Sequence, residues 1–356
     1  MKRKLISLVT TLLIISLGLY LWQRPTYDFD QDWPEPPAPQ AMKSFQDQYL
    51  KSYYYRGSLG TRNYFAHYEM KANSIQNPLF IITGLEDITE NWWETVSGAF
   101  AQGFRHVFVI EIRGQGKSSR VPGNAIRANH VNDFSYYTKD FIYFLRAFKN
   151  EFPEIKSPPF VLAHSTGSLV FSSSLTSIKD YFPEYYPVAI SYWAPFVMSD
   201  VSSWVNNWFM ISILSSVDIV AQNFGILLLG RRFSLNSPEE NEITHDFGKF
   251  HLSEQLRLYQ GNNSIGVSLR WAIEAISKSN KLYFEKGYSF IDRPCLILVA
   301  ENDKIVSNEW DIANPQVEKV TLSGAFHALH IEREDIFGEA LEMTMNFFKS
   351  HVKKQK

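Results

Sequence analysis

The sequence predicts an α/β fold: a mostly parallel sheet flanked by helices and interrupted by a helical insert. Three observations predict it. From about residue 45, short runs rich in β-branched and aromatic residues alternate with stretches of helical period. The central runs are apolar at consecutive positions, as in strands covered on both faces. One interval, between "VAISYWA" and "CLILVA", is about 100 residues long and breaks the rhythm.

The predicted strands, in order, are "NYFAHYEM" (63–70), "LFIIT" (79–83), "HVFVIEI" (106–112), "FVLAHS" (160–165), "VAISYWA" (188–194), "CLILVA" (295–300) and "VEKVTL" (317–322). Helix-period stretches such as 131–150 and 167–178 lie between most of them. Alternation of this kind places helices on both faces of one sheet. The long interval carries "SSWVNNWFMISILSSVDIVAQNFGILLLG" and then a polar, helix-like half. It is too apolar for a disordered loop and reads as a helical cap. Its first half also allows a second membrane helix, although Asp200 and Asp218 interrupt it.

Composition bounds the function. The chain has 356 residues, 45% of them hydrophobic and 15% aromatic, which supplies a sizeable core. The formal net charge of -2 gives no basic excess for nucleic acid. A lone Cys295 excludes an intrachain disulfide and a Cys-rich metal centre, and inside "PCLILVA" it reads as a buried, inert thiol.

The N-terminus has its own chemistry. Lys2, Arg3 and Lys4 precede "LISLVTTLLIISLGLYLWQ", which carries no charge until Arg24. That length suits one bilayer crossing, and Tyr20 and Trp22 fall where amphipathic rings favour the interface. The basic excess before the run puts the N-terminus in the cytoplasm and the rest of the chain outside it. A cleavable signal peptide is the alternative, though Ser16-Leu17-Gly18 is a poor cleavage site. "DWPEPPAPQ" then reads as an extended spacer. The expected organisation is therefore an anchor or signal at 1–24, a Pro-rich linker at 25–45, core at 46–195, cap at 196–275, and core again at 276–356.

In "AHSTG", Ser165 follows an apolar strand and precedes a helix. A sharp strand-to-helix turn exposes the hydroxyl and crowds the backbone, so small residues are needed two positions away on each side. Ala163 and Gly167 fill those places, giving a G-x-S-x-G pattern with alanine for the first glycine. A serine nucleophile needs a base, and the base an orienting carboxylate. On such a turn the chain order is Ser, acid, His. "LILVAENDKIV" supplies Asp303, with Glu301 as the other candidate. "VTLSGAFHALH" supplies His327 and His330. Oxyanion donors are expected from the backbone N–H of Thr166 and, in "TGLEDITENWW", of Leu85. The lone G-x-G at Gly114 and Gly116 lacks dinucleotide-fingerprint spacing.

"TGLED", "EIRGQGKSS", "AHSTG", "ENDKIV" and "GAFH", in this order and spacing, resemble an α/β-hydrolase of the lysophospholipase / monoacylglycerol lipase (serine aminopeptidase S33-like) group. Bacterial lysophospholipase L2-like proteins bear the nearest likeness. "NEITHD" and "RLYQGN" resemble that group's cap, and the likeness covers roughly residues 50–350. It implies an eight-stranded, mostly parallel sheet with an inserted cap. The group's Gly-x-x-His turn implies His327, rather than His330, as the base. Three departures stand out: Thr83-Gly84 for His-Gly, Glu86-Asp87 for Gly-Glu, and Glu111 for the Asp of D-x-R-G-x-G.

The expected function is thus a serine hydrolase of carboxylic esters with lipid-like substrates, lysophospholipid or monoacylglycerol, working through Ser165, Asp303 and His327. No cofactor or metal is expected. The membrane is the expected partner through the N-terminal segment. Alternatives are a hydrolase of small esters, thioesters or amides, or an inert binding module of the same fold. A serine nucleophile argues against epoxide and haloalkane hydrolysis, which use Asp.

Overall fold

A computed structural model describes residues 38–120, 129–197, 212–218, 242–260, 266–284, 288–308 and 310–352. The expected anchor or signal at 1–24 lies outside them, as does most of the apolar first half of the expected cap. Among the described residues no helix is long and apolar enough to cross a membrane.

The strands are β1 (Leu50–Arg56), β2 (Arg62–Glu69), β3 (Leu79–Ile82), β4 (His106–Ile110), β5 (Phe160–His164), β6 (Ile190–Trp193), β7 (Cys295–Ala300) and β8 (Val317–Leu322). They form one eight-stranded sheet in the order β1-β2-β4-β3-β5-β6-β7-β8. β2 pairs antiparallel with β1 and β4, and every other pairing is parallel. The α/β prediction and the mostly parallel sheet are borne out. β1, "LKSYYYR", was not among the predicted strands. It is an edge strand with mixed burial, so it lacks the continuous apolar signal of the centre.

The helices are α1 (Gln40–Tyr49), α2 (Trp93–Ala101), α3 (Ser135–Glu151), α4 (Thr166–Tyr181), α5 (Phe247–Tyr259), α6 (Leu269–Ser279) and α7 (Glu334–Ser350). The strand pleat divides the core. Phe80 and Ile82 of β3 join Phe144 and Phe148 of α3 and Leu169 of α4 on one face. Leu79 and Ile81 join Val96 of α2 and Phe337 of α7 on the other. Cys295 is buried in β7, and burial pushes its thiol pKa up, consistent with an inert core residue.

One boundary shifts. The linker expected through residue 45 ends earlier, because α1 begins at Gln40. Met42 is buried there and packs with Ile88 and with Leu256 of α5. The preceding prolines mask a helix that tertiary packing stabilises. Between β6 and β7 the described residues include α5 and α6, inside and just beyond the expected cap.

A buried ion pair ties the antiparallel edge to the sheet centre. Arg113, beyond β4, donates through Nε to Asp140 Oδ2 at 2.7 Å and through Nη2 to Asp140 Oδ1 at 2.9 Å. Asp140, on α3, also accepts from the Ser58 N–H at 2.6 Å, and Arg113 Nη2 reaches the Ser58 carbonyl at 2.8 Å. Removing one partner strands a buried charge. Asp140→Ala should therefore lower unfolding free energy by about 3–5 kcal/mol, read from urea denaturation. A loss below about 1 kcal/mol, the value of an exposed pair, would refute this role.

Candidate active site

The turn between β5 and α4 places Ser165 at the carboxyl edge of the sheet. Its backbone adopts φ 49 and ψ -123, a conformation that residues with a Cβ rarely occupy. Hydrogen bonds hold it there. The Ser165 N–H donates to Trp193 O at 3.0 Å, and the Ser165 carbonyl accepts from Ser168 N and Oγ at 3.0 and 2.6 Å. Gly167 is needed for closeness: a Cβ there would lie 2.5 Å from the Thr83 carbonyl and 2.6 Å from that of Ile82. Any side chain would push α4 away from the end of β3.

The Ser165 hydroxyl lies 2.9 Å from His327 Nε2. His327 Nδ1 lies 2.7 Å from Asp303 Oδ2. Asp303 follows β7, and its other oxygen accepts from the N–H groups of Ile305 and Val306 at 2.8 and 3.0 Å. Facing a carboxylate, Nδ1 carries the proton, so Nε2 presents a lone pair to the serine hydroxyl. The arrangement can therefore withdraw a proton from Ser165 and stabilise the imidazolium that results.

The other two candidates lie elsewhere. Glu301 is exposed and accepts from Ser323 Oγ at 2.9 Å and the Gly324 N–H at 2.7 Å. His330 Nε2 is 3.3 Å from Asp87 Oδ1, and its ring stacks on Trp92 with centroids 4.2 Å apart.

Behind His327 is a buried polar layer that sequence reasoning did not assemble. Asp87 Oδ1 accepts from the Ile88 N–H and Asn91 Nδ2, each at 2.8 Å, and Oδ2 accepts from Trp92 Nε1 at 2.7 Å. Burial works to raise the Asp87 pKa, but the adjacent His330 ring and these donors hold the carboxyl well below the usual range. His164 is held far below its ordinary pKa by burial, then by the neighbouring His330 and His327 rings. As a neutral ring it donates through Nε2 to the His327 carbonyl at 3.2 Å.

Asp87, His164 and His330 have donor atoms within 4.8 Å of one another, the spacing of a candidate metal set. Their commitments are uneven: His164 Nδ1 and His330 Nδ1 have no hydrogen-bond partner among the described residues. Both Asp87 oxygens are occupied. His164 Nδ1 faces Gly84, where a Cβ would come within 2.7 Å of it. This packing is also why position 84 is glycine.

Leu85 lies in the loop after β3 and lines the cleft, and Thr166 is the first residue of α4, where helix N–H groups favour negative charge. The altered loop residues have defined partners. Thr83 N donates to Ile110 O at 3.1 Å. Glu111 accepts from Thr89 N and Oγ1 at 2.9 and 2.7 Å and from Lys117 N at 2.6 Å. Burial, and then the nearby Glu90, pushes the Glu111 pKa up to about 7. Above Ser165 opens a cleft of about 250 Å³ whose apolar wall includes Phe196, Phe250, Val267, Trp271, Ile276 and Ile305.

Comparison with known proteins follows the same lines. The sequence pattern of the family described as serine aminopeptidase, S33, matches residues 73–334. A probable lysophospholipase L2 of Haemophilus influenzae is 22% identical over 313 residues, spanning 86% of this chain and 93% of that protein. Lysophospholipase L2 of Escherichia coli K12 is 26% identical over 274 residues, spanning 71% and 74%. In fold, a soluble variant of monoglyceride lipase from Saccharomyces cerevisiae superposes with a TM-score of 0.63 at 16% identity, covering 92% of this chain and 99% of that one. The family match spans more than half of the chain, and this chain belongs to the serine aminopeptidase S33 family of α/β-hydrolases.

Proposed function

We propose that this serine ester hydrolase cleaves lipid-like carboxylic esters, of the lysophospholipid or monoacylglycerol kind, through Ser165, His327 and Asp303. The observation that carries the reading is the relay of 2.9 and 2.7 Å contacts opening into an apolar cleft. Ser165 Oγ attacks the ester carbonyl as its proton passes to His327 Nε2. The N–H groups of Leu85 and Thr166 hold the oxyanion. On collapse the alcohol leaves with the proton from His327, and the acyl group remains on Ser165. Water, deprotonated by His327, then attacks the acyl-enzyme and releases the carboxylic acid.

Two things support lipid-like substrates: the bacterial relatives are named lysophospholipases, and aromatic and aliphatic side chains line the cleft. The family's description as an aminopeptidase favours a second reading, hydrolysis of a small amide. The segment between Lys4 and Arg24 supports a membrane-anchored protein with its catalytic domain outside the cytoplasm, on the periplasmic face of an inner membrane. Release after signal cleavage is the alternative.

Ser165→Ala should abolish ester hydrolysis in a folded protein, leaving at most about 10³–10⁴-fold over water from the oxyanion donors. His327→Ala should be equally damaging, and His330→Ala much less so. A reversed order of the two histidines, or near-normal turnover in Ser165→Ala, would overturn the assignment.

Catalytic efficiency should climb from acetyl to long-chain esters measured below their aggregation limits. Each buried methylene is worth about 0.8 kcal/mol where the contact persists in the transition state. A profile flat beyond butyryl, with turnover of aminoacyl amides, would favour the second reading.

A reporter fused to the C-terminus should be active only outside the cytoplasm, with the chain in the membrane fraction. Full-length protein in the cytosolic fraction would refute the anchor. A mature N-terminus near residue 19 would show signal cleavage instead.

A further inference from the structure

Away from the Ser165–His327–Asp303 relay, a hydrogen-bonded ring of three residues joins the loop after β3 to the turn after β4. Glu86 sits at φ 57, which an L residue seldom adopts without support. Its N–H donates to Gln115 Oε1 at 2.7 Å. Gln115 is fully buried, and its Nε2 donates to Asn129 Oδ1 at 2.7 Å. Asn129 Nδ2 donates back to Glu86 Oε1 at 3.0 Å and closes the ring. The neighbouring N–H is that of Leu85, so a rotated Glu86 would carry the oxyanion donor with it.

Asn129 also grips the cap side of the cleft. Its N–H donates to Gly266 O and its carbonyl accepts from the Ser268 N–H, both at 2.9 Å, forming a parallel bridge to Val267. Ser268 caps α6, its Oγ accepting from the Trp271 N–H at 3.0 Å. Val267 and Trp271 line the cleft, whereas Gln115 and Asn129 do not. One wall of the acyl site and the oxyanion loop are thus fastened to the same residue.

We infer that Gln115 and Asn129 are positioning residues that make the alignment of the Leu85 N–H depend on how the cap wall is seated. An acyl chain packed on Val267 and Trp271 steadies the 266–268 backbone. Asn129 then holds Gln115, and Gln115 holds the Glu86 peptide. Binding energy from the remote acyl chain is expressed at the oxyanion, in kcat rather than in KM. The inference rests on the hydrolase reading above, with Leu85 as a donor.

The test measures kcat and KM for nitrophenyl esters from acetyl to decanoyl. The full-length wild type is compared with Gln115→Met, Asn129→Ala and a Ser165→Ala control, each checked for folding by circular dichroism. Gln115→Met should lower kcat about tenfold or more at every chain length, a part of the 10²–10³-fold cost of losing an oxyanion donor outright. Its KM should stay within about threefold, since substrate contacts are kept. Asn129→Ala keeps the backbone bridge but opens the ring, so its loss of kcat should grow with acyl length. Unchanged kcat in both variants, or a change confined to KM, would overturn the inference while an inactive Ser165→Ala leaves the hydrolase reading standing. Should Gln115→Met fail to fold, the chain-length dependence of Asn129→Ala decides alone. Activity retained in Ser165→Ala would bring down the hydrolase reading and the inference with it.

Discussion

The left-handed turn at Ser165 is the constraint on which the rest of the site depends. A residue with a Cβ at φ 49 costs roughly 1–3 kcal/mol. The surroundings must over-determine it, and they do so from two strands and a helix. The end of β6 accepts from the Ser165 N–H, the first turn of α4 donates to its carbonyl, and the end of β3 lies against Gly167. The same closeness brings the loop after β3 to Ser165, since a Cβ at Gly84 would lie 3.2 Å from the Ser165 Cβ. Ser165 and the loop after β3 are therefore set by one packing problem.

The His327 segment is held with comparable care, from both the core and the cap. His164 donates to the His327 carbonyl. Glu332, fully buried, accepts from the N–H of Phe326 at 2.9 Å, beside His327, and from the N–H and Nδ1 of His245 at 2.9 and 2.7 Å. Burial works to raise the Glu332 pKa, but these donors outweigh it and lower it, so the carboxylate stays charged and keeps its grip. The Ala328 N–H donates to Ile243 O at 2.8 Å. Residues 242–246 thus clamp the loop that carries His327. α1 packs separately, through Met42 against Ile88 and Leu256.

What could be read from the sequence was local or ordered. Continuous apolar runs announced the central strands, and the small residues around Ser165 announced the turn. Chain order narrowed the partners to Asp303 or Glu301 and to His327 or His330, and the resemblance implied His327; in the fold Asp303 lies within hydrogen-bond distance of His327, and His327 of Ser165. The resemblance to the lysophospholipase / monoacylglycerol lipase group is borne out by the family match and the relatives. Long-range polar pairs were not legible. Asn129 meeting Glu86 and Gly266, Glu332 meeting His245, and Asp87 meeting His330 join residues far apart in sequence, with no periodicity to mark them. β1 and α1 escaped because tertiary contact, rather than composition, stabilises them.

The G-x-G after β4 shows how a local motif acquires meaning only in three dimensions. As a pattern it is compatible with phosphate binding. In the fold, a Cβ at Gly116, at φ 48, would fall within 2.3 Å of the Glu111 carboxyl group. The glycine makes room for a buried carboxylate, not for a ligand. Glu111 in turn clamps Thr89, in the segment leading from the loop after β3 into α2, to the turn that carries Gln115. A glutamate reaches one carbon further than the aspartate usual at this place, and here that reach spans both partners. Lys117, 2.6 Å from Glu90, offsets part of the cost of burying Glu111, whereas the like charge of Glu90 adds to it. The departures from the group's motifs around the loop after β3 are therefore connected. Thr83 bonds to the end of β4, Glu86 bonds to Gln115, and Glu111 fastens the two segments that carry them.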